Sequence, residues 1–499
     1  MPVQSHRTLT HPRGPPYSQV MPPRVELPLV HSLDMQRSLA PLRALADRPY
    51  PFLLHSALPE HDTGGPRRSR WSFFGAEPFA IFRGGDHLEA IRSFRSFRDR
   101  APFNDVVRAT GAPFVGGAVG YWSYDYGRRL ETLPAQAYDD LRLPDFVFAL
   151  YDVVGAYDHD TQQTWLFSSG LPFEGADAVV RARHRLDHFR KLLERGGRTL
   201  PPLERAGVVP NVTSTFSADG YRRTVEAVQN HIRQGDIFQA NLTQRWRVDT
   251  HDAMALSAVL YESMTRHTPA PYAAYLRYDD HAIMSASPER FLELRGEHVE
   301  TRPIKGTRRR GATPQEDAAL AAELLASDKD RAENVMIIDV LRNDLGRVCD
   351  IGSIHTPGVC ELETFAQVHH LTSTVTGRLR EELDAFDLLH ACFPGGSITG
   401  APKIRAIEIL DSLEPVRRHI YTGSIGWLGW DGDADWQIAI RTVLATPEAL
   451  LFHAGGGVTA DSDPTAEYEE SLVKAEGLRL ALSAVLGELT LRDRAESTR

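Results

Sequence analysis

Cysteine is scarce in this chain. Its 499 residues hold three, Cys349, Cys360 and Cys392. An odd number at wide spacing argues against a disulfide framework, gives no support to a thiolate metal site, and favours a reducing compartment. Long apolar runs are missing too: no stretch offers the ~18 consecutive apolar residues that a membrane-spanning helix needs. The opening residues, MPVQSHRTLTHPRGPPYSQVMPPRVELPL, lack the apolar core of a signal peptide, so the expected location is the cytoplasm. Nor is there an excess of basic charge. The 56 Lys and Arg are outnumbered by 66 Asp and Glu, for a net charge of −10, which argues against general affinity for nucleic acid or an anionic membrane surface. A small anionic substrate is compatible with this balance where cations gather locally.

What the chain does contain is an ordinary globular composition, 42% hydrophobic and 24% charged, in a length sufficient for a large core or for two to three domains. Residues 1–24 carry Pro2, Pro12, Pro15, Pro16, Pro22 and Pro23. That density blocks helix and ladder alike and predicts a disordered tail, with Met21 a second candidate start. From 25 to 195, strand-like runs such as YPFLLHSAL, RWSFFGAEPFAIF and FVFALYDVVGAYDH alternate with turn residues, and the helical run DAVVRARHRLDHFRKLLERGG closes the region. A linker is expected over 196–214. The region 215–490 opens with a helix that Ser217 can cap. Hairpin-like units around Asp279-Asp280 and Gly296 come next, then helices near 313–345, 384–392 and 400–413, strands over 421–458 and a last helix near 464–487. Residues 491–499 read as a C-terminal tail. No internal repeat is visible.

Several stretches can carry chemistry, and each has a plainer reading beside it. In SDKDRAENVMIIDVLRNDLG, Asp330 and Glu333 lie three apart on one helix face, and TAEYEESLVKAEGLRLALSAVL repeats the spacing with Glu467 and Glu470. Two such pairs facing one another would repel unless a cation lay between them, and hard oxygen donors at that density suit Mg2+ with an anionic substrate. Solvated helix faces commonly carry the same spacing. FPGGSITGAPKIRAIEIL leads from glycines into Pro402 and an amphipathic helix. It is an anion-binding helix start with Ser397, Thr399 and Lys403 close by, or simply a tight turn. Its lysine follows Ala401-Pro402 rather than a glycine, so it is not a Walker loop.

Arg441, alone in the apolar IAIRTV, needs a partner, either a bound carboxylate or a structural ion pair. VHHLTS offers His369 and His370, and SASPERF puts Glu289 at a strand end, available for acid/base work or simply exposed. In RPIKGT, Lys305 precedes Gly306 and the basic run Arg308, Arg309 and Arg310. A lysine attacks carbon only when neutral, so a reactive Lys305 requires burial or nearby positive charge, of which these arginines are one source.

Taken in order, DIFQANLTQRW, SASPERFLE, RPIKGT, AENVMIIDVLRNDLGRV, VHHLTSTV, FPGGSITGAPKIRAIEILDSLEP, YTGSIGW, IAIRTV and AGGGVTADSDPTAEYEESLVKAEGL closely resemble the chorismate-utilising enzymes. The likeness covers nearly all of 215–490 and extends more weakly through PFLLHSA, RWSFFGAEP and PFVGGAVGYWSYDYG, although Trp71 stands where a tyrosine is usual. The resemblance implies an α+β fold of two large, mainly antiparallel β-sheets packed together with helices outside, to which the N-terminal region contributes. It implies Mg2+ held by Glu333 and Glu470, with Asp330 and Glu467 nearby. Substrate carboxylates would be held by Tyr421, Arg441 and Lys474, joined by backbone groups about Thr399 and Gly400 and in an AGGGV turn at Gly456 and Gly457. His370 would lie near the departing hydroxyl and Glu289 would be the general acid/base.

Two positions sort the chemistry within this family. Members that add water to chorismate carry a lysine where this chain has Gln239, and anthranilate-forming members carry alanine where it has Lys305. The resemblance is therefore to members that aminate C4. In these, Lys305 would attack C2 as the C4 hydroxyl leaves, ammonia would add at C4, and Lys305 would be expelled. The product would be 4-amino-4-deoxychorismate, the precursor of p-aminobenzoate and folate. No cysteine lies in a nucleophile-like turn, so ammonia is expected from a separate glutamine amidotransferase subunit, and a separate lyase is expected to complete p-aminobenzoate. PFLLHSA aligns with the region where relatives hold tryptophan, which makes a structural tryptophan a candidate ligand. The rival readings are anthranilate formation by amination at C2, against which Lys305 counts, a catalytically silent chorismate-binding homologue, and more distantly a nucleotide-binding protein.

Overall fold

The computed structural model describes residues 26–35, 39–56, 70–196, 211–250, 252–365 and 368–489. The tail expected over 1–24, most of the 196–214 linker and the tail at 491–499 lie outside the described residues. Within the linker range, Val212–Ser214 is a strand on Gln239–Asp249.

The strand-rich sequence resolves into two large sheets whose ladders are antiparallel throughout. The 12-stranded sheet runs Leu29–Leu33, Gln163–Ser168, Val153–Asp158, Trp71–Gly75, Phe52–His55, Tyr272–Arg277, Ala282–Ser287, Thr442–Ala445, Ala449–Val458, Gln239–Asp249, Gly400–Ala401, with Val212–Ser214 pairing Gln239–Asp249 off this path. The 10-stranded sheet runs Ile304–Arg309, Val368–Arg378, His298–Arg302, Arg290–Arg295, Ala434–Ile438, Ser424–Gly429, Gly117–Trp122, Phe146–Tyr151, Ala80–Arg83, with His355–Thr364 pairing Val368–Arg378 off this path. Strands from before residue 196 and after residue 214 share both sheets: Phe52–His55 pairs with Tyr272–Arg277, and Gly117–Trp122 with Ser424–Gly429.

Phe146–Tyr151, FVFALY, is buried along its whole length. An antiparallel strand covered on one face would alternate apolar with polar residues, so this continuous apolar run signals burial on both faces. One side meets the core between the sheets, where Phe52, Phe73, Tyr121, Leu276, Ile425 and Leu444 pack. The other side meets helices. His87–Arg98, Asp328–Gly346 and Ala385–Cys392 close the outer face of the smaller sheet, and Ala253–His267 and Pro464–Leu486 close that of the larger one. The largest fully buried side chains, Trp246 and Trp436, are core anchors whose truncation to alanine would cost about 3–5 kcal/mol each. The fold is thus the α+β arrangement that the resemblance implied.

The helical stretch expected over 313–345 is two helices, Pro314–Ala326 and Asp328–Gly346, because Ser327 ends one and caps the other. The Ser327 hydroxyl accepts from the Asp330 N–H at 3.3 Å, satisfying a donor that the helix start leaves orphaned. The break puts Lys329, Asp330 and Glu333 near a helix N-terminus. That helix touches both Gly400–Ala401, the end of the larger sheet, and Ile304–Arg309, the end of the smaller one.

Candidate active site

Lys305 sits where the ladder between Ile304–Arg309 and Val368–Arg378 loses register, between Ile304 and Thr307. A bulge turns a side chain out of the normal alternation, and Gly306 permits it with a φ of +82°. The Lys305 ammonium donates to the Ser397 carbonyl at 3.1 Å. Burial, with Lys474 nearby, holds its pKa below the usual lysine range. The basic run that follows is not the source of this shift. Arg308 pairs with Glu323 and Asp330, Arg309 with Glu316, and Arg310 with Asp317.

Glu289 lies in the turn between Ala282–Ser287 and Arg290–Arg295 and is 5% exposed. Its Oε1 accepts from the Ser397 hydroxyl at 2.5 Å. Burial pushes its carboxyl up to about 7, against the opposing pull of Ser397 and Lys305. Ser397 therefore ties the two groups together, taking a bond from Lys305 on its carbonyl and giving one to Glu289 from its hydroxyl. A lysine pushed towards neutrality beside a carboxyl that titrates near neutral pH has the protonation states that a nucleophile and an acid would need.

His370 is buried with Nδ1 2.8 Å from the Thr307 hydroxyl, and burial, with Arg441 nearby, pushes its pKa down to about 3. It is a neutral imidazole near neutral pH. Arg441 has a positive φ of +48°, and burial lowers its pKa. Among the described residues its guanidinium has no hydrogen-bond or ion-pair partner. Of the two partners that the sequence allowed, the structural ion pair is therefore not seen, and a forked donor is left for a ligand carboxylate. Tyr421 stacks on His453, ring centroids 4.7 Å apart and 8° from parallel. His369 is a structural residue, bonded to Thr364 and Asp317.

The acidic helices do face one another. A Cβ built on Gly456 would meet Glu467 Oε2 at 2.9 Å and Glu470 Oε1 at 3.3 Å, and one on Gly457 would lie 3.7 Å from Glu333 Oε2 and collide with the Gln239 amide. The AGGGV segment is not a turn but the end of the strand Ala449–Val458, paired with Gln239–Asp249. Its glycines are the floor on which three carboxylates and Gln239 rest. Gln239 donates to Glu333 Oε2 at 3.3 Å, and Lys474 bridges Glu470 at 2.7 Å and the Gly455 carbonyl at 3.0 Å. Burial raises the pKa of Glu333 and of Glu467; it acts on Glu470 too, but Lys474 together with Lys329 and Lys305 outweighs it and holds Glu470 low. Asp330 turns away to Arg308 at 3.2 Å. Thr399 bonds back to the Gly395 and Gly396 carbonyls, and Gly400 pairs with Ala240.

Among the described residues no three His, Cys, Asp or Glu side chains close on a common point. The donor set nonetheless fits a hard cation: it is all oxygen, and Glu467 Oε2 is buried without a hydrogen-bond partner. Lys329 lies among these carboxylates, and the sequence reading overlooked it. The available signal was its spacing of four from Glu333, which puts both on one helix face. Lys403, read as an anion contact, is instead neutralised by Asp344 at 2.6 Å.

A cavity of ≈ 410 Å³ opens elsewhere, walled by Leu54, His55, Trp71, Phe73, Pro271 and Trp427 and rimmed by Arg290, Glu293 and Asp435. It contains part of the PFLLHSA segment.

A family model described as chorismate binding enzyme matches residues 60–479. Aminodeoxychorismate synthase component 1 of Bacillus subtilis is 38% identical over 455 residues, covering 88% of this chain and 94% of that protein. Anthranilate synthase component 1 of Cereibacter sphaeroides is 37% identical over 482 residues, covering 91% and 93%. Among solved structures, anthranilate synthase component I from Streptococcus pneumoniae aligns with a TM-score of 0.70 at 29% identity, covering 84% of this chain and 94% of the other.

Proposed function

Because the chain belongs to the chorismate-binding enzymes, we propose that it aminates chorismate at C4 to give 4-amino-4-deoxychorismate, for p-aminobenzoate and folate synthesis. Relatives called aminodeoxychorismate synthase component 1 reach 38–45% identity and those called anthranilate synthase component 1 reach 36–37%, so similarity favours the first reading by a modest margin. The observation that joins the similarity is Lys305, half-buried, pushed towards its neutral form and joined through Ser397 to Glu289. An enzyme in which ammonia attacks C2 directly has no use for an amine at that place.

In this reading the neutral Lys305 amine adds to C2 of the ring while the C4 hydroxyl departs, and Glu289 gives that hydroxyl its proton so that it leaves as water. Ammonia then adds at C4, the bond to Lys305 breaks, and a proton returns to Glu289. Chorismate and ammonia thus yield the amino compound and water. Neutral His370 is suited to hydrogen-bond the departing oxygen, and Arg441 and Lys474 are the cations for substrate carboxylates. Glu333 and Glu470 would hold Mg2+, with Glu467 and Asp330 behind them; when bound, the ion offsets carboxylate charge on the substrate. Tyr421 and the backbone about Thr399, Gly400, Gly456 and Gly457 complete the substrate's surroundings.

Ammonia would come from a glutamine amidotransferase subunit. All three cysteines are buried and unpaired, and burial raises each thiol pKa, Cys349 to about 11, so none is a thiolate nucleophile. Unpaired cysteines also suit a cytoplasmic setting, and among the described residues no helix is long and apolar enough to cross a membrane. The ≈ 410 Å³ cavity, with aromatic walls and charges of both signs at its rim, would take a structural tryptophan.

The test is to incubate the protein with chorismate, Mg2+ and ammonium and treat the product with aminodeoxychorismate lyase. Release of p-aminobenzoate supports the reading; anthranilate as the product refutes it.

A further inference from the structure

Between the acidic helices stands a lysine that no step of the proposed reaction uses. Lys329 Nζ lies 3.6 Å from Glu467 Oε1 and 3.9 Å from Glu333 Oε1, and Glu470 and Asp330 also act on it through space. Neither distance is a hydrogen bond, since those fall at about 2.7–3.2 Å. The Lys329 side chain is 53% exposed, against 13% for Glu333 and 4% for Glu467. The ammonium is therefore loosely held, with a clear path to water along its flexible stem.

Glu333 and Glu467, 13% and 4% exposed, face the half-exposed Glu470 and need positive charge beside them; Lys474 meets Glu470 and Lys305 acts on Glu333 through space, while Lys329 is the cation placed against both Glu333 and Glu467. It does not meet the whole demand: Glu467 Oε2 and Gln239 Oε1 are both buried without a hydrogen-bond partner. The position is built for a ligand that makes more contacts than this ammonium does.

We propose that Lys329 is a displaceable internal counter-cation, which neutralises Glu333, Glu467 and Glu470 when no divalent ion is bound and retreats to solvent when Mg2+ enters. The inference rests on the Mg2+ reading above. An ion about 2.1 Å from carboxylate oxygens cannot share them with an ammonium at the distances seen here without strong like-charge repulsion. The lysine therefore weakens Mg2+ binding to the protein alone and leaves firm loading to the moment when an anionic substrate adds its own charge.

The experiment titrates the full chain, stripped of metal, with Mg2+ alone by calorimetry and follows the thermal midpoint in parallel. Lys329→Gln should bind Mg2+ about tenfold more tightly than wild type, equivalent to about 1.4 kcal/mol. It should also melt lower than wild type without metal and recover when Mg2+ is added. Lys329→Arg, which keeps the charge, should stay near wild type. Equal or weaker binding by Lys329→Gln, with binding lost in Glu333→Gln, overturns the role of the lysine and leaves the metal site standing. Equal Mg2+ binding by Glu333→Gln and wild type overturns the metal reading, and this inference with it.

Discussion

Replacing Glu289 with glutamine should make this protein more stable and less active at the same time, and the stability gain should depend on pH. The Glu289 carboxyl is 5% exposed, and burial, partly opposed by Ser397 and Lys305, lifts its pKa from 4.5 to about 7. Below pH 4.5 the group is protonated in both folded and unfolded chains and makes no difference. Between 4.5 and about 7 the unfolded chain has lost the proton while the folded one keeps it, so stability falls as pH rises. Above both values the folded protein carries a buried carboxylate whose cost, at about 1.4 kcal/mol per pKa unit, is about 3.5 kcal/mol.

Glutamine has no proton to lose, and its Oε1 can still accept from Ser397. Glu289→Gln should match wild type below pH 4.5 and exceed it by about 3.5 kcal/mol at pH 8.5. At about 2.1 cal/mol/K per residue, that is a rise of roughly 3 °C in Tm for a chain this long. Scanning calorimetry of both proteins across this range reads the difference. Chorismate turnover should fall by about 10²–10⁴-fold, the usual worth of a positioned acid. A Tm gap that does not widen with pH refutes the burial argument, and a widening gap with full turnover refutes the catalytic assignment.

Lys305→Ala should lose C4 amination by a thousandfold or more, roughly the scale for removing a nucleophile, with Tm little changed because the half-buried ammonium makes one hydrogen bond, to the Ser397 carbonyl; product analysis by lyase conversion decides it. Arg441→Gln should raise the KM for chorismate by about 10–100-fold, since a truncated charged contact is worth roughly 1.5–3 kcal/mol, without lowering Tm, because the guanidinium has no partner among the described residues to lose. Gly456→Ala would press a methyl to 2.9 Å from Glu467 Oε2 and should weaken Mg2+ binding measured by calorimetry; unchanged affinity would remove Gly456 from the floor of the site. Lys403→Met should destabilise the fold by about 3–5 kcal/mol, because it leaves Asp344, 3% exposed, without the cation that pairs it. Denaturant melts check the last.

Much of the site was legible because its residues lie in long ordered motifs and because local rules act on neighbours in sequence. The spacing of Asp330 with Glu333, and of Glu467 with Glu470, is a property of any helix. The antiparallel two-sheet fold followed from resemblance together with strand-like runs. What failed in the sequence reading depended on contacts distant along the chain. The basic run after Lys305 looked like the source of its depressed pKa, yet each arginine is spent on a carboxylate from another element, and burial does the shifting instead. Lys403 looked like an anion contact and is bound to Asp344. AGGGV looked like a turn, because glycine is usually read that way, whereas it is a strand whose bare backbone admits three carboxylates and an amide.

The sequence by itself determined the residue types, their helical and strand periodicities and the order of the motifs, since these depend on neighbours a few positions apart. Tertiary structure alone decided which charges meet. Lys305 and Glu289 share Ser397 from far along the chain, Arg441 has no partner among the described residues, and Lys329 stands among the acids. Burial and through-space charge govern protonation, and both are set by distances in space that no spacing along the chain encodes.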